Sequence, residues 1–226
     1  MGWAFNPNLS DRFGPGMVYV RRKKFPNYFV AGDSGAGYVN PGNLPEPRRR
    51  SDLPSGLEIW TEHCKKYFKR WDISITGFII DGYAPHTGDK VEDASAQFSS
   101  NGIGLHFWSN GWGVHKGMPY IRCEEAIQYH TPEESASLLL RFVGSKKPDF
   151  LYFRTILMTP CEHKRLFELV KASPKGKDME FVDPYTLFLL IKKVSVTKAE
   201  TADNQGKASL QDGRHRFSGL PPEEGK

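Results

Sequence analysis

Two tetrapeptides, Thr131-Pro132-Glu133-Glu134 and Thr159-Pro160-Cys161-Glu162, constrain the fold of this chain more than any other feature. Each supplies a capping hydroxyl, a proline suited to the first helical position, and a glutamate that can reach back to the cap amide. Each also opens an amphipathic segment. The first runs through Leu138, Leu139, Phe142 and Val143 to Gly144, the second through Leu166, Phe167 and Val170. Between them Phe150–Met158 is apolar and reads as a strand. The same alternation is written upstream. Leu57, Trp60, Cys64, Tyr67, Phe68 and Trp71 recur at helical spacing with Lys65, Lys66 and Lys69 outward. Ile73–Ile80 reads as a buried strand, Val91–Phe98 as a short helix, Ile103–Trp108 as a second strand and Met118–Cys123 as a third. Downstream, Met179–Val182 reads as a short strand, and Asp183-Pro184 starts a last helix through Leu187, Leu190 and Ile191. Apolar strands that alternate with helices predict an α/β fold whose mainly parallel sheet, of about five or six strands, is covered by helices. A doubly wound sheet and part of a β/α barrel satisfy this pattern equally.

Three regions differ in residue type. Residues 1–56 are rich in Gly, Pro and Asn, with one β-rich run at Asn27–Ala31, and read as a loop-heavy segment of the functional kind. Residues 57–193 carry the β/α alternation. Residues 194–226 turn to Lys, Glu, Asp, Gln, Gly and Ser, and are expected to be a disordered tail. The chain has 226 residues, 38% of them apolar, which is enough for a core. Its charge of +5 is small and spread out, so no nucleic-acid partner is expected. Cys64, Cys123 and Cys161 are too scattered for a disulfide framework or a CxxC metal site. No apolar run reaches the roughly 18 residues of a membrane span, and Met1–Gly16 lack the apolar centre of a signal peptide.

The densest motif is Gly32-Asp33-Ser34-Gly35-Ala36-Gly37-Tyr38-Val39-Asn40-Pro41, directly after the strand-like Tyr28–Ala31. As a dinucleotide fingerprint it fails: its spacing is GxxGxG, and Tyr38, Pro41, Gly42 and Pro45 open no helix to hold a pyrophosphate. Two readings stand. It is a tight glycine-built connection with Tyr38 packed for shape, or it is a site loop in which Asp33 and Ser34 lie just past a strand's carboxyl end, where β/α sheets place ligand groups. Asp81 ends the next strand and is an acid–base or sugar-binding candidate, set against a plain Asp-Gly turn. His106–His115 gathers Trp108, Trp112, Asn110 and two histidines beyond another strand. Such a mixture stacks on sugar faces and bonds hydroxyls, or else covers a sheet end. A metal held by His106 and His115 lacks a third close ligand in the sequence, so no metal and no cofactor are expected. Cys161 and His163 project in different directions from one helix and make no nucleophile–base pair. Arg21–Lys24 and Arg48–Arg50 flank the glycine motif and read as solvated charge or as phosphate contacts.

The run Gly35-Ala36-Gly37-Tyr38-Val39-Asn40-Pro41 resembles the signature of the GxGYxYP family of glycoside hydrolases. Gly2–Leu9, Asn27–Gly32 and the closing Phe181–Leu187 are similar to that family's flanking segments, so the likeness spans about residues 2–193. Asn40 stands where the family name has its second tyrosine. The resemblance implies the later part of a TIM-like β/α barrel, preceded by a separate N-terminal domain of the same protein. It also implies a carbohydrate ligand in the cleft between them and an extracellular location. The family's proposed carboxylates lie in an Asp-Gly-Asp segment and a Glu upstream of the Gly-Trp start, so none maps onto a number here, and a partial catalytic domain is expected. On the chain's own residues, Asp33 and Asp81 are the catalytic candidates. Ser34, Gly35, Gly37, Tyr38, Asn40, His106, Trp108 and Asn110 are the substrate-binding ones. The alternatives are a non-catalytic carbohydrate binder and a nucleotide- or phosphate-binding α/β domain.

Overall fold

The computed structural model describes residues 2–22, 28–48, 51–80, 88–105, 111–128, 130–144 and 149–197. The protein is an α/β structure built on a mostly parallel sheet. Strands β1 (Gly2–Phe5), β2 (Tyr28–Ala31), β3 (Ile75–Thr76), β4 (Gly102–Leu105) and β6 (Met118–Arg122) run parallel, in the order β1-β2-β3-β4-β6. The edge strand β5 (Trp112–His115) is antiparallel to β6 and forms a hairpin with it. A second, two-stranded parallel sheet pairs β7 (Glu125–Gln128) with β8 (Phe153–Ile156). The helices are α1 (Ser10–Arg22), α2 (Leu57–Trp71), α3 (Asp89–Ala96), α4 (Pro132–Arg141), α5 (Pro160–Ala172) and α6 (184–197).

From β1 to β4 each strand lies beside its predecessor, with one helix in every crossover. Such an order puts successive helices on the same face, because β/α crossovers share one hand. The packing follows. Trp60, Cys64 and Phe68 of α2, Val91 and Ala94 of α3, and Phe98 just after it meet Phe29, Ala31, Ile103 and Leu105 in one cluster. Val20 of α1 packs on the same cluster, and Asp11 joins α1 to the Tyr67 hydroxyl and Arg70 of α2. Side chains alternate along β2, so Val30 faces the other way. There it joins Ile75, Ile121 and the α6 residues Leu187, Phe188 and Ile191. Helices on both faces explain why the strands carry no polar alternation.

The structure corrects the reading of the first segment. Residues 1–56 hold β1, α1 and β2 beside their irregular stretches, a full β/α/β unit that was not expected there. The helix was hidden by Gly14, Pro15 and Gly16. It kinks at Phe13 (φ −134°, ψ 45°), two residues before the proline that cannot donate to the helical ladder. Strands β5 and β7 were not foreseen, and 179–182 pairs with no strand among the described residues. Helix α6 continues through residue 197, and the expected tail beyond it lies outside the described residues.

The two Thr-Pro-X-Glu boxes form as their spacing predicts. Thr131 and Thr159 each accept from the amide of the glutamate three residues on, at 3.2 and 3.3 Å. Those glutamates accept in return from the cap amides at 2.8 and 2.6 Å. A Thr159→Ala variant should therefore lose about 1 kcal/mol of stability, measured by urea unfolding. The bonds from the Thr159 hydroxyl and amide hold the Glu162 carboxyl below its usual range. That contribution is present at neutral pH and lost as pH falls through the lowered value.

Candidate functional site

Because β2, β3, β4 and β6 are parallel, their carboxyl ends share one edge of the sheet. At this edge β2 runs into a left-handed turn, with φ of 55° at Asp33, 61° at Ser34 and 87° at Gly35. For residues other than glycine this conformation costs about 1–2 kcal/mol each, so the turn must be held from outside. Ser34 does the holding. Its amide donates to the Phe78 carbonyl (3.0 Å), its hydroxyl accepts from the Ile80 amide (2.8 Å), and its carbonyl accepts from the Trp60 indole (3.2 Å). His63 lies 2.9 Å from the Ala36 carbonyl. A side chain at Gly35 would place its Cβ 2.8 Å from the Cys64 sulfur, so this glycine lets the loop lie directly on α2.

Most of the motif is thus spent on the fold. Ser34 is fully buried, and Asn40 accepts from the Gly42 amide (3.2 Å) to cap the short 3-10 turn Pro41–Asn43. Tyr38, however, is not packed for shape. It is 80% exposed, and the backbone at Gly37 has room around it, the nearest atom being 3.7 Å from an added Cβ. The phosphate reading is weakened, since the Ser34 amide is engaged by the Phe78 carbonyl and the loop leads into a 3-10 turn and not a long helix.

Asp33 is the chemically distinct member. It is half-buried, and loss of hydration raises its carboxyl above the ordinary range, partly offset by the charge of Arg154. Arg154 comes from β8, and its guanidinium sits 3.9 Å from the centroid of the Phe78 ring, which follows β3. Tyr152, two residues earlier, donates to the Gly77 carbonyl at 2.6 Å, and its burial raises the phenol well above its usual range. Arg122 and Glu124, at the end of β6, pair at 2.7 Å. The neighbouring Cys123 thiol is pushed up to about 11 by burial, which makes it inert as a nucleophile. Phe78, Tyr152 and Arg154 line a cleft of about 1210 Å³ between the large sheet and the β7–β8, α4, α5 unit. Arg154 thus connects Asp33 to that cleft.

Asp81, His106, Trp108 and Asn110 lie outside the described residues. The last described residues before them are Ile80, four residues beyond β3, and Leu105, the last residue of β4. Sequence reasoning missed Arg154, although an arginine inside the apolar run Phe150–Met158 was a usable signal. It also missed the surroundings of His115, which the fold places against Glu92 and Asp93 of α3.

Residues 1–115 match the family model described as GxGYxYP putative glycoside hydrolase C-terminal domain. The chain belongs to this family. No curated protein and no solved structure matches it. In this GxGYxYP member the matched span runs from β1 to the end of β5 and contains Asp33 and the left-handed turn. Arg154 and the rest of the β7–β8 unit lie beyond it. No helix among the described residues is long and apolar enough to cross a membrane.

Proposed function

We propose that this chain forms one wall of a carbohydrate-binding cleft and takes part in glycoside hydrolysis, with Asp33 as the proton-donating carboxyl. The observation that carries the reading is the half-buried Asp33 at the carboxyl edge of the sheet, its pKa raised by desolvation. Glycoside cleavage needs one carboxyl that is still protonated near neutral pH to protonate the leaving oxygen. A second carboxylate on the other side of the bond acts as base or nucleophile. Asp81 is assigned the second role, because in the sequence it directly follows Ile80, whose amide is bound by the Ser34 hydroxyl. The exposed ring of Tyr38 offers a stacking surface, and Trp108, His106 and Asn110 are assigned to the sugar hydroxyls and C–H faces. The strand order advances without reversal from β1 to β4, as in consecutive units of a TIM-like barrel, while α6 covers the face that a closed barrel would turn inward; we take the sheet as the later, open part of one.

A second reading, carbohydrate binding without turnover, is favoured by a specific observation: much of the signature loop is consumed in internal bonds. Release of reducing sugar from a panel of poly- and oligosaccharides separates the two. Hydrolysis that is lost in Asp81→Asn supports catalysis and the assigned second carboxylate. A sugar-dependent rise in Tm with no product supports the binder. Turnover untouched by both Asp33→Asn and Asp81→Asn removes the two carboxyls from the mechanism.

A further inference from the structure

Away from this edge, the first turn of α3 and the end of β5 bring together a second set of reactive side chains. Asp89 and Glu92 lie three residues apart on one helical face. His115 reaches them from the hairpin, and one donor atom from each of the three lies within 4.8 Å of the other two. The imidazole is oriented by a fourth residue. Asp93 accepts from His115 Nε2 at 2.6 Å and is itself bound by the Lys116 ammonium at 2.7 Å. On its other side, His115 Nδ1 faces Glu92, whose Oε2 is 3.2 Å away. A carboxylate behind the ring, fixing tautomer and orientation, is the arrangement found behind metal-bound histidines. The 3.2 Å spacing is also close to the edge of a tetrahedron with metal–ligand bonds of about 2.0–2.1 Å.

We propose that Asp89, Glu92 and His115 form a site for a divalent transition-metal ion of the zinc type, which clips the β5–β6 hairpin to α3. One nitrogen and two carboxylate oxygens suit zinc, while an all-oxygen cage would suit magnesium or calcium. Glu92 and His115 are both four-fifths buried at the side chain, so the donors are partly desolvated before any ion arrives. The site draws on two elements that are far apart in sequence. Its ion would therefore stabilise their contact directly and would not act on the chemistry at Asp33.

The test is calorimetric titration of the untagged, chelator-treated chain with zinc chloride, alongside its melting curve. One equivalent of zinc should bind and raise Tm, while magnesium chloride at the same concentration should do neither. Glu92→Gln keeps the shape of the side chain and should weaken zinc binding at least about tenfold; Asp93→Asn, through loss of orientation, should weaken it about 10–100-fold. His115→Ala should abolish it. Circular dichroism of the metal-free variants establishes that each is folded. A wild-type chain that gives no heat and no Tm change with zinc would overturn the proposal. So would equal responses to zinc and magnesium, or zinc binding that is unchanged in folded Glu92→Gln and Asp93→Asn.

Discussion

An Asp33→Asn variant is expected to melt at a higher temperature than the parent at pH 7 and to lose at least about a hundredfold in glycoside turnover. The two effects have one source. Burial raises the folded-state pKa of Asp33, so the native chain holds this proton more tightly than the unfolded chain does. Below the unfolded pKa both states carry the neutral acid, and Asp and Asn should be equivalent in stability. Above the unfolded pKa the aspartate of the unfolded chain ionises in water while the half-buried one keeps its proton, which favours unfolding until the folded value is passed; the amide has no such difference. The Tm gap between variant and parent should therefore open between acidic and neutral pH. Asparagine tolerates the left-handed backbone at this position (φ 55°) as well as aspartate does, so the substitution introduces no new strain. Melting curves at pH 3 and pH 7, with turnover measured on the responsive glycan, check both effects. A variant less stable than the parent at pH 7 would show that the anion is held by Arg154 and would remove Asp33 as the proton donor.

Gly104→Ala should be strongly destabilising, at about 3 kcal/mol, or roughly 6–12 °C in Tm. A methyl group there would sit 2.1 Å from the Gly77 carbonyl oxygen and 2.8 Å from the Tyr152 ring. Neither neighbour can yield freely. The Gly77 carbonyl accepts from Tyr152, the Gly77 amide donates to Ala31 (2.6 Å), and Ile79 donates to Gly104 itself (2.9 Å). To make room, β3 must move away from β4, carrying Phe78 and the bonds that hold the Ser34 turn. The loss of stability should thus be accompanied by weakened sugar binding. Gly14→Ala is the control, since nothing lies within 4 Å of its added Cβ, and it should leave Tm unchanged or slightly raised. A Gly104→Ala protein that melts with the parent would mean that the close approach of β3 and β4 is not required.

The parts legible in the sequence were those decided within one or two helical turns. The capping boxes at Thr131 and Thr159 close over three residues, and the apolar stripe of α2 repeats every three or four, so local geometry alone specifies them. Strands without polar alternation told of a sheet covered on both faces, as β2 and β4 are by α2, α3 and α6. Helix α1 escaped because Gly and Pro normally end helices, and its contacts with α2 and β2 hold this one together. The position of Asp33 after a strand marked it, but its environment was not legible. That depends on Arg154, 121 positions away, and on a turn whose strain is absorbed by Phe78, Ile80 and Trp60. The same limit separates Ser34 from Asp33: adjacent in the motif, one is buried as a brace and the other stays half-buried at the carboxyl edge of the sheet. His115 likewise looked short of partners until α3 supplied Glu92 and Asp93. By itself the sequence determined the capped and amphipathic helices α2, α4 and α5, the mainly parallel sheet, and which family's signature the loop carries, because those depend on neighbouring residues. Only the tertiary structure decided which polar groups remain available for chemistry, because hydration and charge are set by residues that meet through space.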